Sequence, residues 1–161
     1  MPARRTARCT AEQGRGIDML KGIPSVLPPD LLKILMEMGH GDEIVIGDGN
    51  FPAASCAARL VRCDGHTAPE ILDAILQLMP LDTYVPAPVG LMALPAGSEE
   101  PPIWATYREI IEKHEGEPRQ AEEIERFAFY ARAKKAYAIV STGETALYAN
   151  VLLKKGVIAP K

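Results

Sequence analysis

The chain has 161 residues, 47% hydrophobic and 24% charged, with 18 Lys and Arg against 21 Asp and Glu for a formal charge of −3. That length suits one domain with a sizeable core, and the charge offers no long-range attraction to nucleic acid or to an acidic membrane. No apolar run approaches the roughly 18 residues of a membrane span, and three cysteines without a CxxC pair argue against a disulfide framework or zinc cluster and for reduced thiols in a cytoplasm.

Residues 1–18, MPARRTARCTAEQGRGID, carry Arg4, Arg5, Arg8 and Arg15 and almost no large apolar side chain. They lack the apolar core of a secretory signal. The segment reads as a disordered extension, or an upstream start ahead of Met19, before a domain covering 19–161.

Pro28-Pro29-Asp30 opens the first helix: proline fits a first turn, where its missing N–H has no partner, and Asp30 complements the helix dipole. Leu31, Leu32, Ile34, Leu35 and Met38 recur at helical spacing, and Gly39 ends the run. Glu43–Gly47 is a short buried strand with Asp48 at its carboxyl end, where open α/β sheets gather ligands. Leu60–Cys63 is a second strand. Thr67 and Glu70 have capping-box spacing ahead of a helix carrying Ile71, Leu72, Ile75, Leu76 and Met79, which Pro80 closes. Residues 88–94 read as a strand and 96–102 as a loop. Ile103, Trp104, Tyr107, Ile110 and Ile111 form the stripe of a third helix, with both aromatics assigned to packing. After a turn at 115–120 come a short extended piece and a helix within IERFAFYARAKKA. Ala136–Ser141 and Asn150–Leu153 are the last strands. Alternating helices and strands without repeats imply a single three-layer α/β/α domain.

Chemistry concentrates around MGHGDEIVIGDGNFPA at 38–53. His40 lies between two glycines that leave backbone room for a ligand, and Asp42, Glu43 and Asp48 offer it acidic neighbours. Such a histidine suits a general acid or base, or one half of a metal site. The glycines match neither GxGxxG nor GxxxxGK[ST]. Ile44-Val45-Ile46 then acts as a buried anchor with His40 at one end and Asp48 at the other, both serving a small hydroxylated ligand. Asp82 sits in a turn after Pro80. Arg126 and Tyr130 share a face if their segment is helical. Tyr148 and Asn150 offer uncharged groups that bond to sugar hydroxyls, or simply loop polarity.

Seven collinear blocks give the chain a resemblance: MLKGIP at 19–24, PDLLKIL at 29–35, MGHGDEIVI at 38–46, DGNFPA at 48–53, PLDTYV at 80–85, IERFAFYARAKKAYAIV at 124–140 and TGETALYANVLLKKGV at 142–157. Together they resemble the L-fucose mutarotase family, within the group that includes D-ribose pyranase. The resemblance implies rings, often decamers, in which neighbouring subunits complete each site. It implies an acid/base role for His40, catalytic parts for Asp82 and Tyr130, and sugar contacts for Asp48, Met92, Arg126, Tyr148 and Asn150. It calls for no cofactor and no metal. Two departures, Ala149, more typical of the ribose pyranase branch, where the fucose branch has glycine, and Gly49 where alanine or leucine is usual, bear on which sugar is preferred. A ribose pyranase, a non-catalytic sugar-binding protein and a metal-dependent hydrolase are the alternatives.

Overall fold

A computed structural model describes residues 19–161, so the Arg-rich start and Cys9 lie outside the described residues. In chain order the elements are α1 (Pro29–Glu37), β1 (Glu43–Gly47), α2 (Ala53–Cys56), β2 (Leu60–Cys63), α3 (Ala68–Leu78), β3 (Val89–Met92), α4 (Pro102–Glu115), β4 (Ala121–Ile124), α5 (Arg126–Lys135), β5 (Ala138–Thr142) and β6 (Val151–Lys154).

The start and stop signals work as their chemistry dictates. Pro29 occupies the first turn of α1. Thr67 and Glu70 cap α3 reciprocally, the Thr67 hydroxyl accepting the Glu70 N–H while the Glu70 carboxylate accepts the Thr67 N–H at 2.7 Å. α4 runs past the apolar stripe that marked it and ends at Gly116, which adopts φ 77°, a left-handed conformation suited to glycine. α2 escaped the sequence reading because four residues carry no helical period.

The six strands form one sheet in the order β2-β5-β1-β6-β3-β4. β6 runs antiparallel to its neighbours β1 and β3, and the other ladders are parallel. All five parallel strands therefore send their carboxyl ends to one edge, and β6 begins there.

Strand alternation divides the core in two. Ile44 and Ile46, Ala138 and Val140, and Val151 and Leu153 face α1, α3 and α4. Val45, Ile139 and Leu152 face the other way, against Phe51, Ala53, Phe129 and Ala133. With a period of two, a strand buried on both faces must be apolar throughout, which is why IVI, AIV and VLL stand at its centre. Helices on both faces give the expected three layers. No helix among the described residues is long and apolar enough to cross a membrane.

Candidate active site

Asp48 follows β1 at the carboxyl edge, Met92 closes β3, and Arg126 begins the helix after β4. At the same edge the chain passes Tyr148 and Asn150 on its way into β6. These side chains, with Tyr130 of α5, line a cavity of about 250 Å³ that also takes in Asn50, Phe51 and Leu147. Six of the eight residues singled out from sequence thus meet in one pocket.

Asp48 is 5% exposed. Its backbone N–H donates to Asn150 Oδ1 at 2.8 Å, and its carboxylate accepts the Asn50 N–H at 2.9 Å. The first contact ties the two strand ends together and leaves the Asn150 NH2 as the group to offer a ligand. Burial raises the Asp48 pKa above the usual carboxylate range; backbone N–H groups of Asn50, Ala149 and Phe51 pull it partly back, and the nearby Glu144 adds to the rise. Gly49 donates its N–H to the Glu144 carbonyl at 2.8 Å, and a Cβ there would lie 3.0 Å from that oxygen. Glycine thus permits the close approach that brings the loop after β5 against Asp48.

The other wall is aromatic. The Tyr130 ring lies 5.6 Å from Phe51 and 6.4 Å from Phe127, and the Arg126 guanidinium sits 5.8 Å from the Tyr130 centroid. The pair does share a helix face, as the i, i+4 spacing required. Leu147 stands exposed in the lining, and Phe127 is exposed behind Tyr130.

His40 and Asp82 lie elsewhere. His40 precedes β1, where Gly41 at φ 85° turns the chain and bonds to the Lys155 carbonyl. Its Nε2 is 3.0 Å from Oδ1 of Asp82, and the Tyr84 ring lies tilted at 53° to the imidazole with centroids 5.3 Å apart. Asp82 is buried, and its pKa is held below the usual range, first by the Tyr84 backbone N–H and then by His40 and Lys154. A carboxylate on Nε2 fixes the ring and leaves Nδ1 as the nitrogen able to exchange a proton with another group. The partner is not one of the acids named from the local sequence. Asp42 accepts the Gly39 N–H at 2.7 Å, and Glu43 pairs with Arg132 at 2.7 Å.

The five residues of β1 separate His40 from Asp48 by about 16 Å of extended strand. Within one chain, then, His40 and Asp48 do not serve the same ligand, contrary to the expectation from the anchor strand. The sequence names both ends of the strand without showing that they face opposite edges of the sheet. Among the described residues no group of three or more His, Cys, Asp or Glu side chains is placed to hold a metal ion. Cys56 and Cys63 are free thiols.

Residues 21–158 match the RbsD / FucU transport protein family. The chain belongs to this family. Among RbsD / FucU relatives, the human fucose mutarotase is 50% identical over 147 residues, 87% of this chain and 95% of its own. The L-fucose mutarotase of Actinobacillus pleuropneumoniae is 46% identical over 144 residues, 89% of this chain and 100% of its own. The crystal structure of the Streptococcus pneumoniae fucose mutarotase in complex with L-fucose superposes with a TM-score of 0.83 at 57% identity, covering 87% of this chain and 100% of that one.

Of the pocket residues, Asn50, Phe51 and Leu147 were not singled out from sequence as site residues. Asn50 and Phe51 belong to the DGNFPA block, next to Asp48. Leu147 adjoins Tyr148, and nothing in a lone exposed leucine marks it.

Proposed function

We propose that this protein is an L-fucose mutarotase, an isomerase that interconverts the α and β anomers of the sugar through its open-chain aldehyde. The observation that carries this reading is the pocket itself. One buried carboxylate, two tyrosines, an arginine and two asparagines converge on a space just below the roughly 300–1,000 Å³ of typical small-molecule sites. That mixture hydrogen-bonds to hydroxyls around a ring, and the half-apolar lining of Met92, Phe51 and Leu147 suits a deoxy sugar. Likeness to the fucose-bound Streptococcus protein supports the same substrate.

Mutarotation breaks and remakes only the C1–O5 bond. A base takes the proton from the anomeric hydroxyl while an acid protonates the ring oxygen; the carbonyl face turns, and the ring closes with the roles reversed. No electrons leave the sugar. His40 is the principal proton carrier and Tyr130 its opposite number. Asp82, bonded to the imidazole rather than facing the pocket, orients His40. Asp48, Arg126, Tyr148 and Asn150 hold the remaining hydroxyls so that the reacting proton meets its acceptor.

Proton transfer needs heavy atoms about 3 Å apart, and one chain cannot bring His40 to its own pocket. The site is therefore completed between copies: His40 of one subunit, backed by Asp82 and Tyr84, closes over the pocket of the next. A ring of such contacts repeats the arrangement, and the free thiols fit a cytoplasmic setting.

Ala149 weighs little toward the ribose branch. It is fully buried and does not line the pocket, so it changes no contact with a sugar. NMR saturation transfer between the anomers, run in parallel on L-fucose and D-ribose, tests the assignment. Acceleration greater on fucose supports it; acceleration confined to ribose, or binding without acceleration, overturns it.

A further inference from the structure

Tyr148 is the one residue other than glycine among the described residues with a positive φ, at 54°. There its Cβ crowds the following carbonyl, a conformation left mostly to glycine, asparagine and aspartate. Two side chains of α4, from the face of the sheet opposite the pocket, grip the backbone at that point. The Trp104 indole Nε1–H donates to the Tyr148 carbonyl at 2.8 Å, and the Tyr107 hydroxyl donates to the Ala149 carbonyl at 2.6 Å. Both aromatics are buried, at 3% and 1% exposure.

Packing alone does not account for them. Phenylalanine would fill much of the same space without burying an N–H or O–H that needs a partner. Here the two polar atoms meet two consecutive carbonyls, at the short segment that supplies Tyr148 and Asn150 to the pocket. The Tyr107 hydroxyl is a lasting donor, because burial, with Glu144 and Asp48 nearby, pushes its ionisation far above the ordinary range.

We propose that Trp104 and Tyr107 are positioning residues, holding the Tyr148 backbone left-handed so that its side chain is presented to the sugar. This rests on the reading that Tyr148 binds the substrate. Neither aromatic touches the reacting atoms, so loosening the grip weakens binding and spares the proton transfer.

Trp104 is the only tryptophan in the sequence, which makes it a reporter. In the wild-type protein, L-fucose shifts the Trp104 emission and its indole N–H resonance, with half-saturation matching the KM for anomer exchange. Tyr107→Phe, which deletes one buried hydrogen bond, raises that KM about threefold to tenfold and leaves kcat within about twofold. Trp104→Phe moves the fucose affinity in the same direction, measured by calorimetry. The proposal is overturned if Tyr107→Phe lowers the melting temperature but leaves KM unchanged. It is equally overturned if the wild-type indole resonance stays fixed at saturating fucose, a measurement that needs no variant to fold. A wild-type protein that neither binds nor exchanges fucose overturns the assigned function instead.

Discussion

His40→Ala separates chemistry from binding, because the structure places the imidazole far from its own chain's pocket. The ring is 42% exposed, so its removal leaves no sealed cavity, and Asp82 keeps the Tyr84 N–H at 3.0 Å while gaining water. A single hydrogen bond between a half-exposed imidazole and this buried carboxylate contributes about 1 kcal/mol net. For a chain of this size 1 kcal/mol shifts the melting temperature by about 2–4 °C, which bounds the structural effect. Losing a positioned proton carrier costs about 10²–10⁴-fold in rate. The walls that the pocket's own subunit contributes are untouched, so fucose affinity stays within about threefold, given that one imidazole contact in a hydrated site contributes little to ground-state binding. Saturation transfer reads the rate, calorimetry the affinity and scanning calorimetry the melt. Exchange that persists within threefold of wild type refutes the role given to His40. A melt lowered by ten degrees or more refutes the placement of the ring at the surface.

Other outcomes follow from the same geometry. Tyr130→Phe keeps the ring on Phe51 and removes only the hydroxyl, so exchange drops about 10²-fold or more with the melting temperature unchanged; unaltered exchange assigns the second proton elsewhere. Asp48→Asn loses fucose binding by calorimetry yet melts higher at pH 7. The native carboxyl has a raised pKa, so its contribution to stability is complete below the unfolded value near 4 and is lost as pH rises through the folded value. The melting advantage of the variant therefore shrinks on acidification across that window, and an advantage that grows toward acid contradicts the assignment. Phe129→Ala empties a fully buried site beside Phe51 and destabilises by about 3–5 kcal/mol in urea titration.

Much of the fold was readable because the signals were local. β1 falls where IVI stands between an acid and a glycine, and the α3 capping box at Thr67 and Glu70 forms as the spacing required. The gaps have physical causes. α2 is too short to show a period, and β4, an edge strand reading AEEI with its first three residues exposed, shows no apolar alternation to betray it. For the site, side-chain type was legible and direction was not. DGN, RFAFY and LYAN gave the pocket its donors and acceptors, but the sequence does not reveal that His40 and Asp48 leave one strand toward opposite edges. Nor does it reveal that Asp82, 42 positions away, is the imidazole's partner, since the antiparallel return of β6 brings them together through Lys154 and Lys155. Trp104 and Tyr107 were read as packing, and they are buried as that requires; their polar atoms had partners that only the tertiary structure could name.

The shared site is tested most directly by mixing two crippled chains. His40→Ala and Tyr130→Phe subunits, each inactive alone, are co-expressed in equal amounts and assayed for L-fucose anomer exchange. If every site draws its imidazole from one subunit and its phenol from the next, random assembly gives about one quarter of wild-type activity, half of the sites having each intact component independently. Mixed assemblies with no activity above that of either variant contradict the account.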